Sequence, residues 1–211
     1  LRIGKDESDM YKIPWQIFPI VESWVHPGDR VLDLGCGDGA LLSGLVERKQ
    51  VEAIGVEISQ DMIVQCLHRG ISVYQADIDR GLSQWDDLSF DYVILNDTLQ
   101  VITKPHEVIR EMLRVGKYAI ISVSNFAYLG NRLRVFLQGR MSTEVRFTGS
   151  WHDTPVIRFV SLREFRVSLR QIGVDIVDSR LFLPFSLVTT RGWPLVDLLA
   201  AKGIFKLRRR A

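Results

Sequence analysis

Only two cysteines, Cys36 and Cys66, occur in 211 residues. That is too few for a secreted disulfide framework or a four-thiolate zinc site, so the chain reads as belonging to a reducing compartment. No apolar run approaches the ~18 residues that a membrane span needs. The first twelve residues mix charges of both signs where a signal peptide would carry an apolar stretch, and the expectation is a cytoplasmic protein. There is no linker, repeat or low-complexity tract, and 46% hydrophobic with 25% charged residues excludes disordered and collagen-like classes. At roughly 150 residues per domain, one domain over 1–211 is expected, large enough to bury a core without staples. A strong net charge is missing too, since the sum is +2, but residues 1–119 carry 12 Lys and Arg against 19 Asp and Glu, while residues 120–211 carry 15 against 6. The basic second part has three open readings: a polyanion partner, an acidic protein partner, or a solvated surface.

What is present is an alternation of short β-branched runs with amphipathic stretches, the pattern of β-α-β units in a doubly wound, mostly parallel sheet. Seven strands are expected, at Arg30–Leu34, Glu52–Glu57, Ser72–Gln75, Phe90–Leu95, Tyr118–Val123, Val174–Ser179 and Lys202–Leu207. Helices are expected at Gly39–Arg48, Gln60–Arg69, Pro105–Val115 and Ser161–Gln171, where apolar residues recur every three or four positions. Ser59 precedes the second of these, and Ser161 with Glu164 has the spacing of a capping box. Residues 130–160 break the rhythm and read as an insertion or lid after the fifth strand.

The most informative segment runs from Val31 to Gly39, a buried strand that passes directly into glycines at 35, 37 and 39 and then a helix. Glycines there let the chain turn sharply and let a ligand approach main-chain amides at a helix N-terminus. Gly35-x-Gly37-x-x-Ala40 also satisfies the loose dinucleotide pattern. Asp33 argues otherwise, because a carboxylate beside the loop repels a pyrophosphate and attracts an ammonium or sulfonium. Glu57 ends the second strand, where two acceptor oxygens suit both ribose hydroxyls of a nucleoside. Asp77 ends the third, placed for an adenine amino group, with Ile78 beside it to pack the ring. Three acids in this register favour S-adenosylmethionine over NAD.

On these residues the sequence resembles the class I S-adenosylmethionine-dependent methyltransferases over essentially its whole length. The resemblance implies that the cofactor, or S-adenosylhomocysteine, is held by Asp33, Gly35, Cys36 and Gly37, by Glu57 and Ile58, by Asp77 and Ile78, and by the main chain of Asn96 after the fourth strand. Asn96-Asp97-Thr98-Leu99 departs from the Asn/Asp-Pro-Pro-Tyr/Phe of enzymes that methylate amino groups of nucleobases, which disfavours nucleic acid as a partner. A narrower similarity rests on Arg30–Leu42, Ser89–Leu95 with Thr98-Leu99-Gln100, Glu111–Gly116 and Asp153-Thr154-Pro155: these runs resemble the MetW family of methionine-biosynthesis proteins. That resemblance implies an accessory or regulatory role beside homoserine O-acyltransferase. The alternatives are a small-molecule O- or C-methyltransferase with its own acceptor, and an RNA-modifying enzyme. No metal site is expected.

Methyl transfer from a sulfonium needs an aligned nucleophile and, for weak acids, a base. His152, in the insertion, and His106, at the start of the helix after strand four, are the candidate bases; His26 and His68 read as turn and surface residues. Cys36 reads as a packing residue beneath the ligand rather than a nucleophile. The run Lys206–Arg210 reads as a solvated segment, and the apolar residues from Trp193 to Leu199 read as core.

Overall fold

A computed structural model of the chain describes residues 17–139, 157–183, 186–189 and 194–210. These build one eight-stranded sheet whose spatial order is β3-β2-β1-β4-β5-β8-β6-β7. In chain order the strands are β1 (Arg30–Leu34), β2 (Glu52–Glu57), β3 (Ser72–Gln75), β4 (Phe90–Leu95), β5 (Gly116–Ser124), β6 (Val174–Leu183), β7 (Ser186–Thr189) and β8 (Lys202–Arg209). All seven expected strands are present, with β5, β6 and β8 longer than their apolar cores suggested. The eighth, β7, is four residues at the outer edge, hairpinned antiparallel to β6. β1 to β5 pair in parallel, whereas β8 runs antiparallel between β5 and β6.

The helices are α1 (Phe18–Trp24), α2 (Ala40–Lys49), α3 (Gln60–His68), α4 (Pro105–Val115), α5 (Leu129–Gln138), α6 (Leu162–Gln171) and α7 (Pro194–Leu199). α2, α3, α4 and α6 match the expected segments to within a residue or so. α5 opens the segment read as an insertion; residues 140–156, most of what remains of it, lie outside the described residues. At the start of α6 the capping box is complete: Glu164 N–H donates to Ser161 Oγ at 3.1 Å, and Ser161 N–H donates to Glu164 Oε2 at 3.1 Å.

Successive side chains of a strand point to opposite faces, and the core divides accordingly. Leu32, Leu34, Val93, Leu95, Ala119 and Ile121 pack with α4 and α6 on one face, while Val31, Ile94, Ile120 and Ile204 pack with α1, α2 and α3 on the other. Strands buried on both sides read as near-continuous apolar runs, which is why β1 and β4 were legible. Among the described residues no helix is long and apolar enough to cross a membrane.

One polar network fixes α4 to the loop before β4. Arg114 donates from Nη1 to the Trp85 carbonyl and Asp87 Oδ1 (both 2.9 Å), from Nη2 to the Leu82 carbonyl (3.0 Å), and from Nε and Nη2 to Glu111 (2.8 Å each). These bonds hold the Glu111 carboxyl below its usual range. Arg114→Met keeps the stem and loses every donor. It is expected to destabilise the fold by about 1.5–3 kcal/mol, the range for hydrogen bonds to charged groups, read from the urea midpoint at unchanged slope. A loss under about 0.5 kcal/mol, the level of an exposed ion pair, would show that the network is only a solvated surface arrangement.

Candidate functional site

The strand order reverses direction between β1 and β4, and ligands of open α/β sheets gather at the carboxyl ends of strands flanking such a point. Gly35 follows β1 with φ +71°, and its N–H and that of Cys36 both donate to the Val56 carbonyl, at 2.8 and 3.1 Å. A Cβ on Gly35 would come within 2.9 Å of Thr98 Oγ1, so the glycine lets the first loop meet the segment after β4. Gly37, at φ +57°, faces open space.

Glu57 is the hub. Its Oε2 accepts the Gly37 N–H at 2.9 Å, and its Oε1 accepts the N–H groups of Ile58 (2.8 Å) and Ser59 (3.0 Å). One carboxylate thus ties the glycine loop to the start of α3, where the Ser59 side chain makes no cap bond. Each oxygen accepts about two hydrogen bonds, so Oε2 keeps capacity for a ligand hydroxyl. Asp33 lies beneath, 2% exposed, with Oδ1 lacking a hydrogen-bond partner. Burial, reinforced by the Glu57 charge, pushes its carboxyl up to about 7.

Asp77 Oδ1 accepts the Asp79 N–H at 3.0 Å. Asp79 in turn accepts from the N–H groups of Thr103 (3.0 Å) and Lys104 (3.1 Å), tying the loop after β3 to the entry of α4. Partial burial works against its charge, but these bonds and the nearby Lys104 outweigh it and hold the Asp79 carboxyl below its usual range. Asn96 Oδ1 accepts from Ser122 Oγ (2.7 Å), and its carbonyl accepts from Thr98 Oγ1 (2.9 Å). Asp97 adopts φ +55° and pairs with Lys202 Nζ at 2.5 Å.

Together these loops enclose a cavity of about 420 Å³. Of the expected residues, Gly35, Glu57, Ile58, Asp77 and Ile78 line it; Asp33, Cys36, Gly37 and Asn96 do not. Sequence reasoning missed Val56, Ala76 and Asp79 on the near side and Asp97, Thr98, Val101 and Ile102 on the far side, which complete the wall. Asp97 and Thr98 stand directly after Asn96, the one residue of the run Asn96-Asp97-Thr98 expected to hold the cofactor. Cys36 Sγ lies 3.7 Å from Cys66 Sγ, and Cys66 donates to the Gly37 carbonyl at 3.0 Å. Burial pushes both thiols up, which keeps them neutral and fits packing rather than nucleophilic attack.

His106 is elsewhere. Its Nε2 is 2.5 Å from Ser168 Oγ, and it lines a second cavity of about 330 Å³ with Leu99, Phe159 and Phe165. The turn from Thr98 to Ile102 contributes to both cavities, Leu99 to one, and Thr98, Val101 and Ile102 to the other. His152 lies outside the described residues.

The family model described as "Methionine biosynthesis protein MetW" matches residues 16–207. The chain belongs to the MetW family. A bifunctional methionine biosynthesis protein MetXA/MetW from Rhodopirellula baltica is 40% identical over 167 residues, 75% of this chain. This MetW-family chain spans 27% of that relative's length. Among solved structures, an S-adenosylmethionine-dependent methyltransferase from Mesorhizobium loti superposes with a TM-score of 0.67 at 17% identity, covering 93% of this chain and 99% of that one. Magnesium protoporphyrin IX methyltransferase from Synechocystis, with bound SAH, gives 0.67 at 18% identity, covering 100% and 90%. At such identities the likeness is one of fold, and this chain has the fold of class I methyltransferases.

The buried carboxyl yields a prediction for the free protein. Because its folded pKa is raised, Asp33 contributes stability that is present below the ordinary carboxylate range and is lost as pH rises through about 7. Asp33→Asn removes that loss. Its stability relative to wild type is expected to rise between pH 5 and pH 8.5, by at most about 3 kcal/mol, measured by thermal or urea unfolding. A difference that stays constant with pH would place an ordinary carboxylate at this position.

Proposed function

We propose that this chain is an S-adenosylmethionine-binding accessory protein of methionine biosynthesis, working in the cytoplasm beside a homoserine O-acyltransferase and tuned by the cofactor. The observation that carries the reading is the buried, unpartnered Asp33 oxygen behind a cavity edged by Glu57 and Asp77. A cationic ligand compensates such a group; a pyrophosphate aggravates it. The residues therefore suit the cofactor. Glu57 would take ribose hydroxyls through the remaining capacity of Oε2, and Asp77 would take the adenine amino group between Ile58, Ile78 and Ile102. Asp33 and the Asn96 carbonyl would favour the cationic methionine end. The cofactor itself supplies an electrophilic methyl group on a sulfonium.

The partner half is supported by the relative in which MetW and MetXA share one chain. A protein that binds the adenosylated downstream product of methionine and contacts an early enzyme is suited to feedback. If the cofactor changes affinity for the enzyme by some factor, the enzyme changes affinity for the cofactor by the same factor. The rival reading, a working O- or C-methyltransferase, has one observation in its favour: the cavity beside His106 shares a wall segment with the first, as an acceptor site next to a cofactor would.

Two measurements test this reading. Calorimetric titration with S-adenosylmethionine is expected to show affinity tightening as pH rises through about 7, because the ligand favours the charged form of Asp33. Asp33→Asn should flatten that profile, and Glu57→Ala should weaken binding by about 1.5–3 kcal/mol; unchanged affinity in both variants would remove the site. Homoserine acylation by the same organism's O-acyltransferase is expected to depend on this chain and to respond to the cofactor. Indifference to the chain, together with labelled methyl appearing on a small molecule, would decide for the methyltransferase.

A further inference from the structure

Among the described residues, none covers an apolar stripe on helix α5. Leu129, Leu133, Phe136 and Leu137 recur at i, i+4, i+7 and i+8, the spacing that places residues on one side of a helix. Elsewhere such a stripe faces the core, yet here no side chain of α5 is buried: Leu133 is 48% exposed, Leu137 71% and Phe136 84%. The stripe continues toward Phe159, 58% exposed, which packs edge-on against Phe126 at 4.6 Å between ring centres; the Phe126 carbonyl accepts from Asn131 of α5. Ten residues make a marginal helix in water without an apolar face to bury, and patches of this kind mark interaction sites.

The charge around the stripe selects its occupant. α5 itself carries Arg132 and Arg134 and no Asp or Glu. Pairing of α5 with its own copy about a two-fold axis would set these arginines against each other. We propose that α5 is the docking helix for a protein partner, its apolar stripe entering a groove rimmed by carboxylates. This rests on the accessory reading above, and under it the partner is the acyltransferase. Phe136 and Leu137 supply the desolvated centre, and the arginines supply orientation and speed of association.

The test uses the full chain and purified homoserine O-acyltransferase, with binding followed by interferometry. The double variant Phe136→Ser, Leu137→Ser should raise Kd at least about 30-fold, as central interface side chains do. Arg132→Glu should slow association and reduce its dependence on ionic strength. Leu67→Ser, at a comparably exposed apolar residue on α3 (60% exposed), should change neither. Cofactor affinity and melting temperature equal to wild type confirm that the variants fold, and Arg132→Glu alone keeps the test decisive if the double variant does not. Wild-type affinity in both α5 variants overturns the surface while the accessory reading stands; no binding by the wild-type chain overturns both. Sedimentation of wild type, but not the double variant, with phosphatidylglycerol vesicles would assign α5 to a lipid surface instead. A wild-type dimer that the double variant converts to monomer would assign it to a second copy.

Discussion

β1 is clamped between two parallel neighbours, with Leu32 opposite Ile54 of β2 on one side and Val93 of β4 on the other. From β1 the chain winds outward one way to β2 and β3 and later the other way to β4 and β5, so the segments that leave β1 and β4 diverge and a crevice opens above them. Everything in the candidate site follows from that divergence. The strands deliver Asp33, Glu57, Asp77 and Asn96 to one edge of the sheet, and the loops then need partners for main-chain groups the sheet no longer serves. Glu57 supplies three such partners at once, which is why a charged side chain sits at the heart of the structure.

That solution makes the crevice electrically one-sided. Asp33 and Glu57 repel each other through an interior poor in water, and the arrangement is tolerated because Glu57 is satisfied by N–H groups while Asp33 holds its proton to near neutrality. Asp97, on the far wall, is balanced by Lys202 arriving from β8. The cost to the free protein is concentrated on one oxygen, and an incoming positive charge recovers it. The proposed preference for a cation over a phosphate would thus rest on carboxylates that are already in place.

How far the sequence could be read depended on the range of the interactions. Gly35, Glu57 and Asp77 were legible because each stands at a fixed place relative to its own strand, and the Ser161 and Glu164 cap because it spans three residues. Asp97 was not, because its partner is 105 positions away. Asn96 was expected for its main chain only, and the bond from Ser122 to its side chain was not legible, again a contact across strands. α1 was missed because seven residues give too little periodicity, and β7 because four residues at a sheet edge carry no alternation. α5 was passed over for a different reason: its stripe is regular, but it lies among arginines in a segment without a strand rhythm.

The position of β8 has a consequence for how the molecule assembles. Residues 119–124 of β5 have no neighbour on their outer side until residues 202–207 are in place, and β6 reaches the sheet only through β8. Every residue that lines the larger cavity, by contrast, falls between 35 and 102. The residues that line the crevice thus all precede β5, whereas β5 is joined to the second half of the sheet by pairs such as Ala119 with Leu207 and Ser124 with Lys202, long-range contacts whose loop-closure cost slows folding. During synthesis every residue that lines the crevice has been made before the keystone strand, which later brings Lys202 to Asp97.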